Sequence, residues 1–212
     1  MATWIAHMRI AEYFMNKYPE LNNTKFLVGN IGPDCGVPNE DWSAFTPDKN
    51  VTHRMPDGEN IDAESFKDAY LSGENPKPFY LGYYFHLLTD IQWKELYTRK
   101  KEEPVYYEGL AKDPGYIRAI KRDWYGQDHL FLQRNPDSVF FTVFAKIREF
   151  DNTYLDYFPE NAFIRQINHI TNFYLTATED PDREFLFLSK EEMNSFVEET
   201  IKLLDEFIYT AG

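Results

Sequence analysis

Apolar residues recur along this chain mostly at helical spacing. Trp4, Ile5, Met8, Ala11 and Met15 mark one face of a first helix, whereas period-two alternation is hard to find anywhere. A second short helix is expected over 23–29, ended where Gly32, Pro33 and Gly36 break the pattern, which leaves Asp34 in a turn. From 34 to 60 the chain is rich in Pro, Asp, Asn and Gly without a clear period. This stretch reads as a loop far longer than the usual ~4–6 residues, and long loops in compact domains are often functional. Helical patterns resume over 62–71, 78–100, 114–133, 136–150, 159–176 and 189–209. Proline-containing punctuation at Gly73-Glu-Asn-Pro, Glu103-Pro, Asn135-Pro and Asp180-Pro separates several of them. The pattern predicts an all-α fold, a single-domain multi-helix bundle over 1–212 without repeats.

Composition narrows the function classes. The chain is 43% apolar and 17% aromatic, which argues against disorder, and 35 acidic against 22 basic residues leave a net charge of -13. Such a field opposes stable duplex nucleic-acid binding. It also repels a phosphate-bearing substrate, so recognising one requires a concentrated positive charge such as a bound metal, and no basic cluster stands in the sequence to replace it. The first twelve residues lack a basic lead and carry His7, Arg9 and Glu12, so no secretory leader is expected. No apolar run approaches the ~20 residues of a transmembrane helix. Together with the lone Cys35, these features predict a cytoplasmic protein.

Candidate chemistry concentrates in the first 90 residues. His86 and Asp90 stand four apart in the aromatic run Phe79-Tyr-Leu-Gly-Tyr-Tyr-Phe-His-Leu-Leu-Thr-Asp, on one face of the expected helix. An unpartnered charge is costly to bury there, and a metal ion is the simplest partner. His7, Asp34 and His53 come from three other segments. Each has an ordinary explanation alone: a hydrogen-bonded core histidine, a turn-capping aspartate and an exposed loop histidine. As a set, imidazoles with carboxylates suit zinc, with manganese or iron admitted by the mixed ligation. Asp123 and Asp128 in Arg122-Asp-Trp-Tyr-Gly-Gln-Asp-His are further candidates, although five-residue spacing does not place both on one face. His129 and His169 are the remaining histidines, and His169 reads as structural.

The ordered residues Ala-Thr-Trp-Ile-Ala-His7, Phe26-Leu-Val-Gly-Asn-Ile-Gly-Pro-Asp34, His53 and Tyr83-Tyr-Phe-His86-Leu-Leu-Thr-Asp90 resemble the zinc-dependent phospholipase C family. The resemblance implies an all-α domain in which metal-activated water attacks a phosphodiester, phospholipids being the best-known substrates. By position it implies Asp34, His53, His86 and Asp90 as a central metal site, with Asp90 bridging to a second ion reached by His7. It also implies Asp34 as the catalytic carboxylate that orients or deprotonates the attacking water. The chain departs from the family at both ends of this set. Trp4 is internal where secreted relatives use an N-terminal tryptophan as a ligand, and the two further histidines and glutamate downstream have only His129, His169 and acids such as Asp123 and Asp128 to match them.

The expected activity is therefore that of a metal-dependent hydrolase of a small phosphate-ester or lipid-like substrate, its cleft lined by some of the 18 Phe, 15 Tyr and 4 Trp residues. The alternatives are a non-catalytic metal-binding or interaction module that keeps the fold, and a metal-free helical interaction protein. No Gly-rich loop ends in Lys-Ser/Thr, no Gly-x-Ser-x-Gly elbow occurs, and no adjacent His-Asp pair marks the other helical phosphohydrolases. The acidic C-terminal helix is amphipathic and suits packing or oligomer contact.

Overall fold

The computed structural model describes residues 1–41, 43–73, 77–180 and 182–211. Helix α1 (Trp4–Lys17) is N-capped by Thr3, whose hydroxyl accepts from the Ala6 amide. Helix α2 (Thr24–Gly29) is capped in the same way by Asn23, which accepts from the Phe26 amide. Then follow a 3-10 turn (Gly32–Cys35), strands β1 (Val37–Pro38) and β2 (Phe45–Thr46), and the single-turn helix α3 (Lys49–Thr52). The helices after these are α4 (Ala63–Tyr70), α5 (Pro78–Lys100), α6 (Pro104–Lys112), α7 (Ile117–Arg134), α8 (Val139–Thr142), α9 (Ala162–Thr176) and α10 (Lys190–Ala211). Strands β1 and β2 form a minimal antiparallel pair, Val37 opposite Thr46 and Pro38 opposite Phe45. The fold is all-α in character, with helices making up most of the described chain.

Helix α5 is the axis. Proline at its first position suits a start that has no amide partner, and its buried residues lie on every side, among them Phe79, Tyr84, Phe85, Leu87 and Trp93. It packs against α1, α2, α4 and α10. The crossing with α2 is close enough to require glycine on both partners. A Cβ on Gly29 would stand 2.2 Å from the Phe79 carbonyl oxygen, and one on Gly82 would stand 2.2 Å from the Phe26 carbonyl oxygen.

Three expectations need correction. The 34–60 stretch carries short elements whose length is too small to leave a period, including the β1/β2 pair and α3. Helix α6 fills a region read only as a break, because Pro104 begins a helix at its first position instead of ending one. The expected 136–150 helix is a single turn, α8, followed by a 3-10 turn at Phe144–Lys146. One α turn and one 3-10 turn suffice to bury Val139, Phe140, Phe144 and Ile147, and Arg148 then donates to the Ala145 and Ile147 carbonyls. No described helix is long and apolar enough to cross a membrane.

Candidate metal centre

Four segments bring five side chains together. His7 points inward from α1, Asp34 sits in the 3-10 turn, His53 caps the C-terminus of α3, and His86 and Asp90 lie one turn apart on α5. The three imidazoles are fully buried, Asp90 is 1% exposed, and the Asp34 side chain retains 12% exposure. Arg54, in the left-handed region at φ 53°, follows His53 and reverses the chain after α3. The loop is held by Tyr83, which donates to the Thr52 carbonyl at 2.5 Å, and by Arg165 of α9, which donates to the Cys35 and Gly36 carbonyls.

Hydrogen bonds on the far ring nitrogens fix which nitrogen faces the carboxylates. His86 Nδ1 lies 2.8 Å from the Asn30 carbonyl, which only accepts, so that nitrogen carries the proton. The close α2/α5 crossing places this carbonyl. His53 Nδ1 lies 3.0 Å from the Thr52 hydroxyl, which itself lies 3.4 Å from the Lys49 carbonyl; if the hydroxyl donates there, it accepts from the ring. The Nε2 atoms of both histidines are then left with lone pairs aimed at acid oxygens. His86 Nε2 is 3.2 Å from Asp90 Oδ2, and His53 Nε2 is 3.6 Å from the same oxygen and 3.4 Å from Asp34 Oδ1. His7 Nε2 is 3.5 Å from Asp90 Oδ1, and its ring stacks on His86 at 3.8 Å and 1°.

Imidazole lone pairs facing carboxylate lone pairs repel unless a positive charge lies between them, either a proton on His86 or a metal ion. Burial first, and then the stacked His86, lower His7 to about 4. Burial also works against charge on His86, but Asp90, Asp34 and the Asn30 carbonyl raise it above its ordinary value. Burial pushes Asp34 and Asp90 upward, yet the surrounding histidines hold both carboxyls ionised, Asp90 with added help from positive charge at the N-terminus. Two further donors reach the acids: the Ala2 amide donates to Asp90 Oδ1 at 2.6 Å, and the Trp4 indole donates to Asp34 Oδ2 at 2.9 Å.

Both ring nitrogens of His7, Nε2 of His53 and His86, and Asp90 Oδ2 are buried with no hydrogen-bond partner. Leaving such groups unsatisfied costs about 1–3 kcal/mol each. Donor atoms of His7, His86 and Asp90, and of Asp34, His53 and His86, lie within 4.8 Å of one another as two overlapping sets. The 3.2–3.6 Å separations measured between nitrogen and oxygen match the roughly 3.3–3.6 Å edge of a tetrahedron built on zinc-ligand bonds. The residues fit a metal.

Set beside known proteins, the chain matches no protein-family profile, no curated protein and no solved structure. The geometry therefore carries the functional argument by itself.

The two remaining sequence candidates stand apart from the metal sets. Asp123 is bound by Arg183, at 2.5 Å, and by the Phe187 amide, at 2.8 Å. Asp128 accepts from the Thr3 hydroxyl at 2.7 Å and from the Tyr174 hydroxyl at 2.5 Å. Each of their oxygens accepts a hydrogen bond from a protein donor, and neither residue belongs to the two sets of donor atoms that lie close enough to share an ion. Burial raises Asp128 to about 7 against the pull of Tyr174, Thr3 and Arg9. His129 packs beside Phe173 and Tyr174, and His169 meets the Trp4 ring edge-on.

Asp34 alone of the five opens onto a cavity of about 470 Å³. Trp4, Phe45, Tyr97, Trp124 and Tyr125 supply aromatic wall, and Lys49 and Lys121 supply cations. Sequence reading missed the second-layer groups, because the Ala2 amide and the Asn30 carbonyl are backbone atoms that no residue type announces. It also missed the lysine pair, whose members stand far apart in the chain.

Proposed function

We propose that this chain is a metal-dependent hydrolase of phosphate esters, similar in its ligand order to zinc-dependent phospholipase C. The observation that carries the reading is the buried convergence of unpartnered imidazole nitrogens with two ionised carboxylates beside a cavity. His7, His53, His86, Asp34 and Asp90 would hold zinc, with manganese or iron as substitutes. A bound divalent ion supplies Lewis-acid polarisation of a phosphoryl oxygen and lowers the pKa of water at neutral pH. Asp34 faces the cavity and is ionised, so it serves as proton acceptor for the attacking water, while the Trp4 indole fixes its second oxygen. Asn30 and Thr52 orient His86 and His53. The buried, unpaired Cys35 fits a reducing compartment, and we assign the protein to the cytoplasm.

The test is metal analysis of protein purified without added metal, combined with hydrolysis of generic phosphate monoesters and diesters by wild type and His86→Ala. Co-purifying metal and hydrolysis that His86→Ala abolishes are expected. Protein that stays inactive with added zinc, manganese and iron removes the enzyme assignment. A second reading, a non-catalytic metal-binding module, draws on the engagement of Asp123 and Asp128 by protein donors, which leaves five clustered candidate ligands among the described residues. It is distinguished by bound metal without turnover on any phosphate ester.

A further inference from the structure

The cavity beside Asp34 is electrically unusual for so acidic a chain. Asp34 is the one carboxylate among its described lining residues, whereas Lys49 and Lys121 both reach it from separate elements, α3 and α7. Neither ammonium forms an ion pair among the described residues. Lys49 instead lies 4.2 Å over the Phe45 ring, itself part of the cavity wall. The two lysines are close enough to feel each other. Lys121 is lowered by desolvation first and by Lys49 second, against an upward pull from Asp34. Chain folding thus builds the basic cluster that the linear sequence lacks.

A charge balance then identifies the missing partner. A divalent cation offsets Asp34 and Asp90, and Lys49, Lys121 and the positive charge near Met1 then leave an excess of positive charge around a partly enclosed, aromatic space. A dianion answers more of that excess than a monoanion does. The rings of Trp4, Tyr97, Trp124 and Tyr125 offer flat apolar surface for the group that carries the anion.

We propose that Lys49 and Lys121 form an anion clamp that makes this cavity selective for phosphate monoesters of aromatic alcohols over the corresponding diesters. The inference rests on the hydrolase reading and names the substrate class of that same site. In it the lysines bind the non-bridging phosphoryl oxygens, Asp34 remains the group facing the attacking water, and the aromatic wall holds the leaving alcohol.

Zinc-loaded protein titrated at mildly alkaline pH with phenylphosphonate, a non-hydrolysable dianion, and with its methyl ester, a monoanion of nearly the same shape, tests the clamp without turnover. Fluorescence of Trp4 and Trp124 gives the readout, with calorimetry as a check. Binding of the dianion about tenfold or more tighter than the ester is expected, with Lys49→Gln and Lys121→Gln each weakening the dianion about fivefold to twentyfold and the ester less than about threefold. Metal content and melting temperature confirm that both variants remain folded and loaded. Equal binding of the two probes, or dianion binding indifferent to both substitutions, overturns the proposal. Selective, lysine-dependent binding by a protein that hydrolyses no phosphate ester sinks the hydrolase reading while leaving the clamp intact. Hydrolysis that ignores both lysines sinks the clamp alone.

Discussion

Two pairs of aspartates divide the chemistry of this molecule. Asp34 and Asp90 face histidine nitrogens that have no other partner, whereas Asp123 and Asp128 face an arginine, a backbone amide and two hydroxyls. Asp90, Asp123 and Asp128 are buried while Asp34 keeps 12% side-chain exposure, so burial does not divide the two pairs. The difference lies in what their neighbours donate. Asp123 and Asp128 have a protein donor on each oxygen, while Asp34 and Asp90 have one N–H donor each and otherwise face imidazole nitrogens, an arrangement that suits a cation.

The sharpest way to break this contrast is to remove one acid from each pair. Asp90→Ala is expected to weaken zinc binding on the order of a thousandfold, equal to about 4 kcal/mol. Asp123→Ala should leave metal stoichiometry unchanged while lowering unfolding stability by about 2–3 kcal/mol, since Arg183 is left facing an emptied site. Calorimetric metal titration and urea unfolding of both variants check this, and equal metal loss in the two would erase the distinction.

Close behind comes the helix crossing that orients His86. Gly82→Ala places a methyl group against the Phe26 carbonyl and should cost about 3 kcal/mol in thermal or urea unfolding. Displacing the Asn30 carbonyl should also weaken zinc binding about 10–100-fold.

Asp128 gives the next effect, and its sign follows from proton binding. The folded state favours the protonated carboxyl, so this group's stabilising contribution is complete below its unfolded value near 3.8 and is lost as pH rises through about 7. Between weakly acidic and weakly alkaline pH, wild type should therefore lose about 2–3 kcal/mol relative to Asp128→Asn. Urea midpoints of the two proteins across that range provide the measurement. A constant difference would mean that Asp128 is ionised throughout.

The smallest expected change comes from Trp4→Phe, which keeps the ring packing but removes the indole donor to Asp34. A loss of about 1 kcal/mol in metal affinity is expected. No change would show that Asp34 needs no orienting partner.

How much of this was readable in advance depends on range. His86 and Asp90 announce themselves because helical spacing stacks positions four apart, and the inward face of α1 places His7 by the same rule. The gathering of His7, Asp34 and His53 around them was expected from their residue types and order. The roles of Asp123 and Asp128 were not legible, because Arg183 and Tyr174 stand 60 and 46 residues away and nothing local marks them as donors. Backbone groups such as the Asn30 carbonyl leave no trace in residue type, and elements as short as β1, β2 and α3 leave no period. The convergence of Lys49 with Lys121 is tertiary in the same sense.

The central claim is that one cation satisfies lone pairs from several distant segments, and X-ray absorption at the zinc edge of the zinc-loaded protein tests it most directly. A nitrogen and oxygen shell at about 2.0–2.1 Å with imidazole scattering, diminished in His86→Ala, is the predicted result. A protein that takes up no zinc, or a shell without imidazole, would contradict it.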